Sequence, residues 1–495
     1  MSEDSLPGGW VKCPTSEVAT LIRGVSYSKE DARKTEAPGF LPILRANNID
    51  GVINFDDLTF VRSNLISSDQ RLRSGDILFA MSSGSRNLVG KSARITRDLE
   101  AGFGAFCGVL RPSPETSNQF LAWAYQTREF RHAISEVAKG SNINNLKREH
   151  LLDYEVPLPP LAEQKRIVAK IEELFSELDA GEESLRRARR QLGVYRQSLL
   201  KQAFEGKLTA PWRAQHPDLL ESPDQLLARI QAERQARYQQ QLKEWEKAVK
   251  EWEKAGESYP KPAKPRFTGQ LEPISQKELQ DFAELPSGWT YFRLGNAIAS
   301  IDAGKSFSCD ERPPSSKEIG VAKVSAVTWG EYDEGESKTC LDSSKVNPAY
   351  FIRQGDFLLS RANTIELVGA VVLVKRAERK IMLSDKTLRI HFGGIDESYV
   401  LQYLRSHVGR REIMTRSSGN QMSMRNIGQD RIASIVTPAC SLPEQQEIVR
   451  LLDAQFEVIE QNEREIDAAL KRSEALRQSI LKKAFTGQLV PPACR

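Results

Sequence analysis

The chain has 495 residues, 40% of them hydrophobic, and this length predicts about three folded units rather than one core. Its 70 Lys and Arg residues against 66 Asp and Glu residues give a net charge of +4, which excludes a histone-like polycation and, with the apolar content, wholesale disorder. Long apolar runs and a secretory signal are missing, and the six cysteines are scattered singly, so we expect reduced thiols and a cytoplasmic location.

Residues 1–160 are predicted to form a mixed domain of short strands. Apolar runs such as 75–80 and 105–110 are brief and are broken by Gly, Ser, Asn and Pro, a pattern typical of strands. One helical stretch is predicted near residues 118–138. The prolines of 156–160 then predict the end of this domain.

A long helix is predicted from Glu163 to Phe204. A stripe of mostly apolar residues at steps of three and four predicts that it packs as a coiled coil. Gly181 in this stripe, like Asn462 in the equivalent later helix, either sets the register or is a poorly packed position. The stripe consists of Ile171, Leu174, Leu178, Gly181, Leu185, Ala188, Leu192, Tyr195 and Leu199.

Residues 213–283 differ in composition from the rest of the chain. The six residues 243–248 repeat as 250–255, and Leu242, Trp245, Val249 and Trp252 form a second short stripe. A proline-rich stretch follows, which predicts an extended linker. We expect a solvated helical arm here rather than a ligand site.

The chain is an internal duplication. Four blocks recur in the same order at a nearly constant offset of about 280 residues. The regions between these blocks share little sequence similarity. Either they bind different ligands, or their sequences have drifted apart since the duplication. The blocks are 6–10 with 285–289, 74–80 with 354–360, 161–164 with 442–445, and 195–208 with 476–489.

The sequence shows no catalytic machinery. The glycines of 84–92 have one residue too many between them for a phosphate-binding loop. Ala349 interrupts a methyltransferase-like Asn-Pro-Pro-Tyr pattern, and the five histidines lack metal-ligand spacing.

Polar loops at corresponding positions of the two copies predict contacts with DNA. Asn and Gln can pair with adenine, Arg and Lys with guanine, and Ser with phosphate, although the same residue types are common in ordinary turns. The candidates are Arg45, Asn47, Asn48, Ser82, Ser83, Ser85, Arg86, Lys91, Asn142, Asn144, Asn145 and Lys147 in the first copy and Arg361, Asn363, Ser418, Asn420, Gln421 and Arg425 in the second.

Positive charge is concentrated at the end of the first long helix. Residues 186–213 contain eight Lys and Arg residues and a single acidic residue, Glu205. This stretch is either part of a DNA-binding surface or a solvated helix face.

Each copy combines a Gly-Asp strand block, a Ser/Gly/Asn loop, a Leu-x-Glu-Gln helix start and a Gln-Ser-(Leu/Ile)-Leu-Lys-x-Ala-Phe-x-Gly-x-Leu helix end. This combination resembles the specificity subunit of Type I restriction–modification systems over essentially the whole chain. The resemblance implies an α+β fold in which two mixed α/β target-recognition domains are joined by two long antiparallel coiled-coil helices. The implied domains are 1–160 and 284–440 for target recognition, 161–212 and 441–495 for the central and distal helices, and 213–283 for the arm and linker.

The resemblance also implies a function and partners. Each recognition domain would read one half of a bipartite, asymmetric site on double-stranded DNA, with the helices as the spacer. The chain would not be an enzyme and would bind no cofactor or metal. It would recruit two modification (methyltransferase) subunits and two restriction subunits, which carry S-adenosylmethionine, ATP and Mg. The competing hypothesis is a coiled-coil scaffold without a nucleic-acid role.

Overall fold

The structure, a computed structural model, describes residues 6–83, 88–137, 144–256, 261–265, 271–421 and 424–491. The chain folds into two compact units: unit 1 comprises residues 1–188 and 464–495, and unit 2 comprises residues 189–463. The boundary between them crosses both long helices, so each unit contains a segment of each. The domain boundaries drawn from the sequence stay predictions.

Unit 1 is built around a four-stranded antiparallel sheet. Its strand order is Ser92–Arg94, Ile77–Ala80, Cys107–Pro112 and Ala19–Arg23. The other strands are Val11–Pro14, Ala32–Arg33, Phe40–Leu44, Ile49–Asp50, Val52–Ile53, Thr59–Arg62, Ser82–Ser83, Gly102–Phe103, Asn144–Asn145 and Glu155–Leu158. The helices are Thr15–Val18, Asn118–Ala124, Arg128–Val137 and Arg148–Leu152, with the central helix beginning at Leu161.

Unit 2 contains a sheet of the same topology. Its order is Val371–Leu373, Phe357–Ser360, Thr387–Phe392 and Ile298–Ala303, again antiparallel throughout. The other strands are Thr290–Arg293, Ile319–Ala322, Ser337–Thr339, Ala362–Asn363, Lys380–Met382, Ser418–Gln421, Met424–Asn426 and Val436–Ala439. The helices, besides the two long ones, are Ala210–Gln215, Pro223–Lys254, Gln276–Leu279, Glu397–Arg405, His407–Arg416 and Gln429–Ala433. The middle regions of the two copies therefore share a frame that their sequences do not reveal.

The helix predicted near 118–138 is two helices, Asn118–Ala124 and Arg128–Val137. Thr127 lies at the break and its hydroxyl accepts a hydrogen bond from the Phe130 amide at 3.3 Å. A Thr side chain that bonds the backbone in this way competes with continuous helix and starts a new one.

The two long helices are Leu161–Phe204, the central helix, and Leu442–Phe485, the distal helix, each of 44 residues. They pack together in an antiparallel sense, since in unit 1 the Arg477 guanidinium lies over the Phe175 ring while Ser473 bonds Glu182, and in unit 2 Arg196 lies over Phe456. The predicted fold class is confirmed.

The predicted seam of the coiled coil is wrong at Gly181 and Asn462. Both are exposed, so neither sets a register and neither is a packing defect. Tyr195 is 46% exposed but does face the distal helix, where its hydroxyl donates to the Gln455 side chain at 3.3 Å. Glu182 and Arg196 turn inward instead, because a helix of 3.6 residues per turn drifts away from a strict seven-residue repeat. The hydrogen bond from Ser473, and after it the Arg477 guanidinium, lower the pKa of Glu182 against the opposing effect of burial.

The recurring Gly-Asp block holds a buried ion pair. In unit 1 the Asp76 carboxylate, 1% exposed, accepts two hydrogen bonds from Arg111 at 2.8 and 2.9 Å and one from the Arg73 amide. In unit 2 Asp356 accepts from Arg389 at 3.1 Å. The hydrogen bond to Asp76 raises the pKa of Arg111 against the opposing effect of burial.

The recurring Leu-x-Glu-Gln block explains why each long helix starts where it does. The side-chain amide of Gln445 is fully buried. Its Nε2 group donates to the Cys440 carbonyl and its Oε1 atom accepts from the Asp396 backbone N–H, both at 2.8 Å. Gln164 makes the same two contacts in unit 1, to Pro159 and from Ser117. Each Gln side chain thus links the start of its long helix, by a hydrogen bond, to the N-cap residue of a neighbouring helix.

We expect Gln445→Leu to lower the free energy of unfolding by about 2–4 kcal/mol, because it leaves a buried N–H and a buried carbonyl without partners. Urea titration followed by circular dichroism measures this loss. Gln446→Leu is the matched control, since the adjacent Gln446 is exposed and its replacement should change stability by less than about 0.5 kcal/mol. Equal effects of the two substitutions would contradict the assignment.

The arm helix, Pro223–Lys254, is anchored at its start. Leu226 and Ile230 are buried, and the Arg234 guanidinium donates to the Ile298 carbonyl at 2.7 Å. A side chain at Gly394 would collide with the Ile230 backbone at 2.5 Å, so glycine permits this close approach.

Farther along, the predicted stripe of the arm helix meets the proline-rich segment. The Trp245 indole donates to the Pro262 carbonyl at 3.0 Å, and the Lys261 ammonium lies 5.2 Å from the Trp252 ring centroid. The linker therefore folds back onto the arm helix, which the sequence did not predict.

Candidate nucleic-acid interface

Two predicted loops of the first copy form one short sheet. Ser82–Ser83 pairs antiparallel with Asn144–Asn145, although about 60 residues separate them along the chain. The Leu146 amide then donates to the Met81 carbonyl at 2.7 Å and extends the pairing. Sequence position alone did not indicate that these loops meet.

The second copy builds the same feature. Ala362–Asn363 pairs with Met424–Asn426, which also pairs with Ser418–Gln421. The polar loop after the Gly-Asp strand and the polar loop before the final helices are thus joined in both copies. We call these two structures the polar sheets of unit 1 and unit 2.

In the polar sheet of unit 1, Asn145 and Lys147 are exposed and Ser82 and Ser83 are partly exposed. Asn144 is placed by its backbone pairing with Ser83. The predicted contacts Ser85, Arg86 and Asn142 lie outside the described residues. Arg148, exposed beside Lys147, is a cation that the sequence-based selection missed.

In the polar sheet of unit 2, Arg425 fastens the hairpin rather than projecting into solvent. Its guanidinium donates to the Ser417 and Gly419 carbonyls at 2.8 and 3.0 Å and to the Ser417 hydroxyl. Ser418 is exposed at the start of the hairpin, and Asn420 and Gln421 are placed by their backbone in the strand Ser418–Gln421. Arg425 therefore positions the loop that carries these residues.

The partner strand of the same sheet, Ala362–Asn363, contains Asn363, and Arg361 comes immediately before it. The Arg361 guanidinium donates to the exposed Asn426 side chain at 3.5 Å, and its backbone N–H donates to the Lys386 carbonyl. Asn363 bonds the Ser360 hydroxyl and the Thr364 amide. The exposed residues Asn426 and Lys386 were missed in the sequence, because only the pairing brings their segments beside Arg361.

The third predicted loop of the first copy forms a separate turn, which contacts the segment around Lys91 and Ala93. The Asn48 side chain is buried and donates to the Asn54 and Asp56 carbonyls at 3.0 and 2.8 Å, so it holds a turn. Arg45 pairs with Asp57 at 3.0 Å, and Lys91 pairs with Asp50. Among these candidates Asn47 is the exposed one. The loop is not joined to the polar sheet by any pairing of its strand Ile49–Asp50, which pairs with Val52–Ile53.

The basic stretch 186–213 is largely engaged in ion pairs. Arg186 pairs with Glu182 at 3.4 Å, Arg196 with Glu463 at 3.7 Å and Arg213 with Glu444 at 2.9 Å. A phosphate group would have to compete with these carboxylates, so the stretch contributes less positive potential than its composition indicates.

The described part of the chain contains neither a cluster of metal-binding side chains nor a membrane-spanning helix. No three His, Cys, Asp or Glu side chains there are grouped closely enough to hold a metal ion. No helix there is both long and apolar enough to cross a lipid bilayer.

Comparisons with known proteins agree on one family. The family model of the Type I restriction modification DNA specificity domain matches residues 7–185. The chain is 30% identical to the Type I restriction enzyme EcoKI specificity subunit of Escherichia coli (strain K12), over 99% of this chain and 91% of that protein. It is 29% identical to the StySPI specificity subunit of Salmonella potsdam, over 99% and 91%. A chain from a structural study of complex assembly and conformational transition of the type I R-M system shares the fold, with a TM-score of 0.61, 18% identity, and coverage of 98% of this chain and 99% of that one.

Proposed function

Because the chain belongs to the family of Type I restriction–modification DNA specificity subunits, we propose that it reads a bipartite, asymmetric DNA target with one unit per half-site. The observation that carries this proposal is the pair of polar sheets, built in the same way from corresponding loops of both copies. A shared frame with different exposed residues suits two related but unequal recognition tasks.

The exposed residues of the polar sheets supply the chemistry of base and phosphate recognition. In unit 1 the Asn145 amide can pair with adenine, and the Lys147 ammonium can bind phosphate or guanine. In unit 2 we assign the corresponding roles to the strand Ser418–Gln421, in which Ser418 is exposed, and to the partly exposed Arg361. Arg425 acts through the hairpin that it fastens, as a positioning residue.

We propose further that the chain is the recognition subunit and not the catalyst. Two modification subunits would carry out methylation and two restriction subunits would carry out cleavage. These partners would bind S-adenosylmethionine, ATP and Mg, and the complex would act in the cytoplasm. The duplicated helix frame supports two equivalent docking places for one kind of partner. Native mass spectrometry of the purified complex tests this stoichiometry, and a single modification subunit per chain would overturn it.

Substituting Asn145 distinguishes base reading from general attraction. We expect Asn145→Ala to weaken binding to the cognate target by about 1–3 kcal/mol, with little change on DNA whose first half-site is scrambled. Lys147→Ala, the control for a phosphate contact, should weaken binding to both DNAs and reduce the slope of log affinity against log salt by about 1. Fluorescence anisotropy at several salt concentrations, with the target found by selection from a random library, measures both. Equal losses of Asn145→Ala on both DNAs would contradict base reading by Asn145.

A further inference from the structure

Two cysteines of unit 2 lie directly opposite each other on antiparallel segments. The Asp310 amide donates to the Thr339 carbonyl at 3.0 Å, and the Thr339 amide donates back to the Asp310 carbonyl at 2.9 Å. Residues 310 and 339 are therefore a hydrogen-bonded pair. The neighbouring pair, Cys309 and Cys340, is then a non-hydrogen-bonded pair, the type in which Cα atoms approach to about 4.5 Å.

The register of this bridge shows which way the two cysteine side chains point. Residues that lie directly opposite each other in an antiparallel pair project to the same face. Cys309 and Cys340 therefore share one face. On the other side of the bridge the Lys338 ammonium lies 2.5 Å from a Glu311 carboxylate oxygen, which holds the two segments together. The proximity of the two thiols is also evident electrostatically, since burial and then the Cys340 thiol raise the pKa of Cys309.

Among the cysteines of residues 6–491 that the structure describes, these two thiols are the accessible ones. Cys309 and Cys340 are partly exposed, whereas Cys13, Cys107 and Cys440 are buried. Disulfides form between cysteines whose Cα atoms are about 4.4–6.8 Å apart, a range that includes the spacing of a non-hydrogen-bonded pair. We infer that Cys309 and Cys340 form a two-thiol redox site that a small-molecule disulfide converts into a cross-strand disulfide.

The chemistry balances with oxidised glutathione as the oxidant. One protein thiolate attacks a glutathione sulfur, forming a mixed disulfide and releasing one glutathione thiolate. The second protein thiol loses its proton, attacks the protein sulfur of the mixed disulfide and releases the second glutathione. The protein loses two electrons and two protons, and one oxidised glutathione becomes two reduced molecules.

The site lies close to the polar sheet of unit 2. Ser306, in the same segment as Cys309, bonds the Asp385 carboxylate, and the next residue, Lys386, accepts from the Arg361 amide. Closing the disulfide would tie this segment covalently to the strand Ser337–Thr339.

Oxidation of the full chain with a glutathione redox buffer, followed by alkylation, trypsin and mass spectrometry, tests the inference. We expect one bridged species joining the peptides 306–317 and 339–345, with loss of alkylation at both cysteines and its return after reduction. Cys309→Ser and Cys340→Ser should each leave the remaining thiol open to alkylation or glutathionylation without the bridge.

A shifted cysteine provides the matched control. Leu341 is 72% exposed, and its side chain points to the opposite face from Cys340. The double substitution Cys340→Ser with Leu341→Cys should therefore abolish the bridge while keeping a thiol one residue away. Two independently alkylated or separately glutathionylated thiols in the unsubstituted chain, or an equal yield of bridge in the shifted variant, would overturn the inference. Circular dichroism spectra identical to that of the unsubstituted chain confirm that each variant is folded.

Discussion

Replacing Glu444 by alanine is expected to lower the free energy of unfolding by about 3–5 kcal/mol, because it removes one partner of a buried ion pair. The Glu444 carboxylate is 1% exposed and pairs with Arg213 at 2.9 Å. It also accepts hydrogen bonds from the Thr209 hydroxyl at 2.7 Å and the Trp289 indole at 3.0 Å. Its loss leaves the poorly solvated Arg213 guanidinium without its carboxylate, and the Thr209 hydroxyl and the Trp289 indole without the acceptor that Glu444 provides.

The first copy provides the matched control for this substitution. Glu163 occupies the same place in the Leu-x-Glu-Gln block and accepts from the Trp10 indole at 3.2 Å, but it is only partly buried. We expect Glu163→Ala to lower the free energy of unfolding by about 1 kcal/mol. Urea titration of the two variants, with one probe for each unit, makes the comparison. Similar losses from both substitutions would show that the network around Glu444 does not stabilise unit 2 as proposed.

The second large effect is expected for Asp76→Ala, again about 3–5 kcal/mol. The substitution leaves the Arg111 guanidinium, 20% exposed, without its carboxylate in the middle of the unit 1 sheet. It also frees the Arg73 amide, which Asp76 binds at 2.8 Å in the turn before the strand Ile77–Ala80. Thermal unfolding monitored by circular dichroism measures the loss.

An exposed acidic residue of the same unit serves as a control, because its replacement removes the same charge without disturbing a buried ion pair. Asp69 pairs with Arg73 at 3.5 Å, but its side chain is 76% exposed. Asp69→Ala should therefore change the stability by less than about 1 kcal/mol. A loss from Asp76→Ala no larger than that from Asp69→Ala would contradict the buried-pair explanation of the Gly-Asp block.

The candidate site was predicted in part. Residue type and matching position identified the loops that contain Ser82, Asn145 and Arg361, because turn-rich polar segments are visible in a single sequence. The roles of Asn48 and Arg425 were not visible, because an Asn or Arg that holds its own loop looks the same in sequence as one that reads a base. Only the hydrogen-bond partners of their side chains distinguish the two cases.

The sequence by itself determined the duplication and the two long helices, because these depend on repeated motifs and on local periodicity. Its resemblance to the Type I specificity subunits, carried by those motifs, implied the fold class. The tertiary structure decided everything that depends on which distant segments meet. It paired Ser82–Ser83 with Asn144–Asn145 and brought Arg213 to Glu444. It also set the seam of the helices, turning Glu182 inward where the heptad pattern indicated Gly181. The spacing of apolar residues along the chain shows whether a segment is a helix or a strand. Which face of that segment is buried, and which segments it packs against, depends on residues hundreds of positions away.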